Sequence, residues 1–409
     1  MASVLKQWPY LSTLFAPSVQ AIDLEPVEVH DIEHNPEKCP RTLKHLLKAN
    51  HVNHAILYHK LEFDNHMPHI LSSAYLLGAN HHQLNKIYEK EAEELEPWLD
   101  SPCELTQEDW KDYRGDRHYQ RAFVDFFEDT VASRKYAYDW KKVVNDYMFE
   151  GDEPLINCVI SGLGHPLIHL GYAFEMNNKE IAIESMSLAS CQYNYMHKYT
   201  DSPSFIKPVP FSSTSPMELL NRMATDERFD GIFKERRFDN IEILFQKHEE
   251  LVLEYWNSWD LSDPKRQFQE SQNTAVNLLV ATVAPGTHSY NFFLVHLLTT
   301  SHAVRILLSF IPTRLHVPLV RQWWLLVISV YAAQLRPKMD IDNINPGDNQ
   351  SRLWNYVEDK AVNGPWATDA HFVKACRAMR EMSNTWGDVH QRYLAAALRF
   401  VDDFRGWTF

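Results

Sequence analysis

Residues 66–80 read HMPHILSSAYLLGAN, and residues 81–99 continue HHQLNKIYEKEAEELEPWL. In both segments apolar side chains recur every three or four positions, which is the spacing of one face of an α-helix and not the alternation of a strand. Gly78-Ala79-Asn80 forms a natural break between them, since glycine commonly closes one helix and asparagine can open the next. The same period extends in both directions. It is present upstream in PRTLKHLLKAN, and it predicts further helices near residues 119–149, 165–176, 178–196, 215–225, 240–257, 265–283, 288–310, 317–336, 368–382 and 387–402. SPSFIKPVPFSSTSP and RPKMDIDNINPGDNQSRLW read as loops from their Pro, Ser, Asn and Asp content. Residues 1–40, irregular and marked by proline, read as an arm laid over a larger body. No repeat of fixed period is found, which argues against a solenoid. The expected architecture is all-α, with a single large helical domain over residues 41–409 that encloses an internal cavity.

Composition supports this reading. The chain has 409 residues, 45% of them hydrophobic, which is ample for a large core, and its 12 glycines are too few for a sandwich or barrel with a turn every few residues. A net charge of −14 without a concentrated basic face argues against nucleic acid as a partner. The most apolar run, WWLLVISVYAAQL from Trp323, is 13 residues long and lies between Arg321 and Arg336. It falls short of the ~20 residues that span a bilayer and reads as a buried helix. The N-terminal stretch lacks the uninterrupted apolar core of a signal peptide. Cys39, Cys103, Cys158, Cys191 and Cys376 are odd in number and widely spaced, which points to a reducing compartment and not to a disulfide framework. The expectation is a soluble, cytoplasmic protein without a membrane partner.

Several mechanisms are excluded by missing motifs. Gly162-Leu163-Gly164 is followed by His-Pro and does not complete the glycine fingerprint of a flavin or nicotinamide site. The phosphate-binding loop and the serine-hydrolase elbow are both missing. So are H-E-x-x-H and every E-x-x-H, which removes the zincin and di-iron readings. His248-Glu249-Glu250 is the one candidate start of a facial triad, and it falls on the polar face of its helix, where solvation explains it. Any metal must therefore be held mainly by histidines.

The chain has 21 histidines. His66 and His69 are three residues apart, on one helical face about 5–6 Å apart at Cβ, with Pro68 placing them at a helix entrance. His165 and His169 in GLGHPLIHLGYAFE repeat the pattern at four residues. Because a residue before proline is pushed out of the helical region, His165 is better placed at the helix start. Such rings can converge on a metal, or each can simply donate to a backbone carbonyl in a core, and the spacing alone admits both. His296 occupies the most apolar helix of the chain and requires a partner. His302, six residues on, should face elsewhere. Lys374, within HFVKACRAM, is flanked by Val373 and Ala375. It can snorkel outward. Alternatively, a desolvated amine becomes nucleophilic and can add carbon dioxide, giving a carbamate that acts as a carboxylate on a long stem.

FDNHMPHILSSAYLLGANHHQLNKIYE, GLGHPLIHLGYAFE, NFFLVHLLTTSHAVR and HFVKACRAM, in that order, resemble the questin oxidase-like family of fungal polyketide-tailoring enzymes, from about residue 40 onward. The resemblance implies an oxygenase that cleaves a ring of an anthraquinone or related aromatic polyketide with dioxygen. That reaction is described as Baeyer–Villiger-like with NADPH as reductant. The resemblance also implies a mononuclear non-haem iron, Fe(II), bound by histidines and a carboxylated lysine. Carried onto this chain, the candidate metal-binding positions are His66, His69, His165, His169, His296 and Lys374. That is one histidine too many for a four-histidine site with a carbamate, and the nearby prolines make His69 or His165 the first to drop. Phe63, Tyr172, Phe292, Trp323, Trp324 and Trp366 are flat side chains that could line a substrate pocket, and core packing explains each equally. Two rival readings are a metal-free, NADPH-dependent monooxygenase in which the same histidines act as acids and bases, and a non-catalytic helical protein that binds an aromatic ligand.

Overall fold

The breaks between helices follow from local chemistry. At the break after residue 77, Gly78 takes a left-handed conformation. The Asn80 side chain accepts hydrogen bonds from the backbone N–H groups of His82 and Gln83, while the Gln83 side chain accepts from Asn80 N–H. This reciprocal cap fixes where the second helix starts. The computed structural model describes residues 20–345 and 352–409, so the expectation for residues 1–19 and the tip of the loop at 346–351 lie outside the described residues.

Among the described residues there are sixteen α-helices. The first eight are α1 (Lys38–Asn53), α2 (Met67–Leu76), α3 (His81–Ala92), α4 (Gln120–Ala132), α5 (Trp140–Val144), α6 (Ser161–Glu175), α7 (Lys179–Cys191) and α8 (Lys198–Asp201). They are followed by α9 (Pro216–Ala224), α10 (Asn240–Asn257), α11 (Pro264–Val280), α12 (Phe292–Leu307), α13 (His316–Ala333), α14 (Trp354–Asn363), α15 (Ala370–Trp386) and α16 (Arg392–Asp403). Two minimal sheets accompany them. Leu57–Tyr58 (β1) pairs antiparallel with Phe63–Asp64 (β2), and Tyr290–Asn291 (β3) pairs parallel with Trp407–Thr408 (β4). The architecture is predominantly all-α, as the periodicity predicts. Two details differ. The helix expected over 119–149 breaks at Ser133, where the chain leaves the helical region. Helices α8 and α14 were not marked by the periodicity.

Four helices form a closed ring: α2 packs on α6, α6 on α12, α12 on α15, and α15 back on α2. Helix α7 covers the outside of α6. A buried ion pair joins two members of the ring, with Arg377 Nη2 of α15 donating to Glu175 Oε1 of α6 at 2.6 Å. Irregular residues 20–37 cross three helices. Ile22 N–H donates to His316 Nδ1, Glu25 O accepts from Arg305, and His30 N–H donates to Glu175 O. The apolar run from Trp323 belongs to α13. The segment Thr313–Ala333 is long and apolar enough to cross a membrane by length and composition, beyond the 13-residue run read from the sequence, but 78% of its apolar window is buried in the fold. Trp323 and Trp324 are spent there, donating to Leu297 O and Tyr255 O. Trp366 packs against Phe404.

Candidate metal centre

Each helix of the ring brings one histidine to its middle. His66 caps α2, with Pro68 in the first turn, where its missing N–H costs nothing. His165 follows three successive left-handed residues, Gly162, Leu163 and Gly164, so that right-handed helix starts at His165 itself. Glycine is needed at both ends of that turn: a Cβ on Gly162 would collide with the Gln192 amide, and one on Gly164 with Thr300. His296 lies in the second turn of α12 and His371 in the first turn of α15. One nitrogen from each of His66, His165, His296 and His371 lies within 4.8 Å of the other three.

Hydrogen bonds on the outward side of two rings fix which nitrogen faces in. His165 Nδ1 donates to Gly162 O and lies 3.2 Å from Asp64 Oδ2, and His296 Nδ1 donates to Phe292 O at 2.8 Å. In a neutral imidazole the other nitrogen then carries a bare lone pair. Each of those lone pairs faces a nitrogen of another ring: His165 Nε2 is 2.8 Å from His66 Nε2, and His296 Nε2 is 3.2 Å from His371 Nε2. Burial, the largest cause throughout, holds all four rings neutral. It brings His165 down to about 3 and the other three well below the ordinary imidazole value, and the Lys374 ammonium pushes the same way. His66, His165 and His371 sit at helix N-termini, whose exposed N–H dipoles also oppose a charged imidazole.

The core-carbonyl and convergent readings of the histidines therefore hold at once: the outward nitrogens of His165 and His296 serve carbonyls, and their inward nitrogens converge. The donor set fits one ion of the kind that takes imidazole ligands, such as iron, copper, nickel or zinc. Bonds of about 2.1 Å span about 4.2 Å between opposite ligands, close to the spread found here. The sequence reading kept His165 as a candidate, while naming His69 or His165 as the first to drop, and missed His371, which belongs with the four. His371 precedes Lys374 by three residues on one helical face, and that spacing was the available signal.

His69 and His169 stand apart from the four and use their nitrogens on each other. His69 Nε2 is 2.7 Å from His169 Nδ1, which also lies 3.1 Å from His165 O, and His69 Nδ1 faces Lys374 Nζ at 3.5 Å. Lys374 does not snorkel, because it is only 1% exposed. Burial lowers its pKa to about 7, against the pull of Asp369, Asp64 and Glu91, with none of which it forms an ion pair among the described residues. Burial likewise raises Asp64 and Glu91 to about 7. His302, also buried, faces Tyr172 and leaves the centre alone, as its offset from His296 predicts.

Behind this pair a polar chain reaches the surface. His169 Nε2 lies 3.8 Å from Glu184 Oε2, Glu184 Oε1 is 2.8 Å from His51 Nδ1, and His51 Nε2 is 3.1 Å from Glu128 Oε1. Burial opposes charge on His51, but its hydrogen bonds to Glu128 and Glu184 outweigh that and raise it to about 9. A histidine raised from 6.5 stabilises the fold fully below that value and loses the contribution as pH rises through about 9. Glu128 is also faced by Arg121 and Lys179, and Glu184 by Glu180. His51→Gln is therefore expected to lower the melting temperature by several degrees at pH 6.5 and by clearly less at pH 9.5. An equal loss at both pH values would show that charge on His51 contributes nothing.

The sequence profile of the family described as questin oxidase-like matches residues 63–379, a stretch that includes all four convergent histidines and Lys374. This chain belongs to the questin oxidase-like family. It is 24% identical over 299 residues to a questin oxidase of Aspergillus fumigatus, covering 67% of this chain and 65% of that protein. A Baeyer–Villiger oxidase of Pestalotiopsis microspora is 28% identical over 170 residues, 39% of this chain and 36% of the relative. A Baeyer–Villiger oxidase of Pestalotiopsis fici is 22% identical over 376 residues, covering 85% and 81%. The first two matches thus span less than two thirds of those relatives' lengths.

Proposed function

We propose that this member of the questin oxidase-like family is an oxygenase that opens a ring of an anthraquinone or related aromatic polyketide, working with one non-haem iron. The observation that supports it most is the convergence of four neutral imidazole nitrogens from four helices in a buried ring. His66, His165, His296 and His371 would hold the ion, and Lys374, as its carbamate, would supply the anionic oxygen that no Asp or Glu provides among them. Iron is our choice among the metals the donor set admits, because the oxidase names of the relatives suit a redox-active ion. When bound, iron supplies the redox chemistry that couples dioxygen to an electron-rich ring.

The protein's own residues do the rest. Gly162 O and Phe292 O orient His165 and His296, and such outer partners commonly set metal affinity. Lys374 would add carbon dioxide, R–NH2 + CO2 giving R–NH–COO⁻ and H⁺, with the proton leaving to solvent, because burial holds the neighbouring His69 well below the ordinary imidazole value and makes it a weak base. Three helix N-termini at the centre favour an anion, which suits a phenolate substrate as well as a carbamate. The apolar ring walls exclude water. A metal-free acid–base mechanism is disfavoured, because rings held down to about 3, such as His165 and His169, are poor bases near neutral pH. NADPH would serve as the electron source for quinone reduction, with aromatic polyketide and dioxygen as the reacting partners.

The protein purified anaerobically with Fe(II) is expected to retain about one iron per chain and to consume oxygen with a hydroxylated anthraquinone, with both properties lost to a strong chelator. Turnover by iron-free protein at an unchanged rate would overturn the proposal.

A further inference from the structure

The four imidazoles are not equally covered, for His66 keeps partial exposure while the other three are buried. Next to it, the His371 ring lies 4.6 Å from His66 and 4.6 Å from Phe292, and Phe292 lies 5.0 Å from His296. Phe292 therefore touches two of the four rings from the less covered side. The parallel register Tyr290↔Trp407, Asn291↔Thr408 sets Phe409 opposite Phe292, with centroids 4.7 Å apart and planes 34° from parallel. This strand is anchored to the ring of helices, since Trp407 Nε1 donates to Asp369 Oδ2, and Asp369 caps α15 just before His371. Phe293 meets Phe409 at 6.5 Å and Phe238 at 6.2 Å.

The outer rings of this series face solvent: Phe409 is 70% exposed and Phe238 46%. Phe238 also borders a cavity of about 370 Å³ lined by Leu163, Leu326, Tyr195 and Arg117, directly behind the turn that positions His165. Exposed aromatic side chains joined through ring contacts to a buried polar centre mark a binding surface. The members are flat and apolar, so what they recognise is a flat, apolar face. The helix N-termini behind them favour an acidic group on it.

We propose that Phe238, Phe293, Phe409 and Phe292 form the approach and stacking platform for a planar, hydroxylated polycyclic aromatic, which lies against Phe292 and Phe409 with its reacting edge toward His371 and His66. The identity of this ligand class rests on the oxygenase reading; the platform itself requires no metal. A flat ligand slides from ring to ring, whereas a bent or purely aliphatic one loses the stacking contacts that aromatic pairs supply.

The test is titration of the full chain with 1,8-dihydroxyanthraquinone, followed by the absorbance of the dye, together with sedimentation velocity. Phe292→Ala is expected to weaken binding roughly tenfold, and Phe409→Ala several-fold, while Phe409→Trp, which restores a ring, stays near the parent protein. Phe409 is exposed, so its variants keep the test decisive even where Phe292→Ala fails to fold. Three results overturn the platform: no binding by the parent protein, equal binding by Phe409→Ala and the parent, or a change of oligomeric state in Phe409→Ala with binding intact, which would make the patch a contact between copies. Dye binding that depends on these rings without oxygen uptake would defeat the oxygenase reading and leave the platform standing. Oxygen uptake with KM unchanged in Phe409→Ala would do the reverse.

Discussion

His165→Ala is expected to remove tightly held metal and oxygen uptake together. The ring presents a bare Nε2 from a position with little freedom, because its Nδ1 is tied to Gly162 O and its backbone follows a rigid left-handed turn. Water cannot substitute from that site without losing this orientation. Changing a residue that only supports a metal ligand typically costs 10–100-fold in affinity. Loss of a ligand should therefore cost more than about 100-fold, whereas His169→Ala, which disturbs only the support behind Lys374, should fall within that 10–100-fold range. Iron per chain after dialysis, measured beside circular dichroism to confirm folding, separates the two. A folded His165→Ala protein that keeps stoichiometric iron would refute the assignment.

Lys374→Met should give an inactive protein that melts no lower than the parent. The lysine is buried without an ion pair among the described residues, and desolvation has brought its amine to about 7. Methionine fills similar space without the cost of burying an amine, so stability should hold or rise. Activity should fall by about 10²-fold or more, the usual cost of removing one electrostatic group at a reacting centre. Lys374→Ala, which leaves room, should recover part of its rate with added short carboxylates. A ¹³C-bicarbonate experiment should give a carbamate resonance in the parent that is missing from both variants. Normal iron content and normal turnover in Lys374→Ala would sink the carbamate.

The helical class was plain in the sequence because the three-and-four period runs through most of the chain, and helix 240–257 appears as Asn240–Asn257. The site was legible only in part. His66, His165 and His296 stand out because each is a polar ring in an apolar helix. The pairs 66/69 and 165/169 looked equivalent, yet a helix lends only one of each to the centre: the ring nearest its N-terminus points inward, and the one a turn later meets its counterpart. Whether two rings bond to each other is decided by how helices α2 and α6 dock, which no local spacing records. His371 was hidden beside Lys374, the more unusual residue. The supporting carboxylates Asp64, Glu91 and Asp369 follow no metal-binding pattern and are recognisable only from where the fold buries them.

Facing pairs at the centre are drawn from far along the chain, 99 residues apart for His66 and His165 and 75 for His296 and His371. During synthesis the first pair is made while the second is still unmade, and two imidazoles alone are a weak trap for a cation. Insertion of the proposed iron would thus await residue 371 and the docking of α15, as a final step of maturation and not a template for folding. Once in place, the ion would cross-link four helices distant in sequence, so the loaded protein should outlast the empty one under proteolysis.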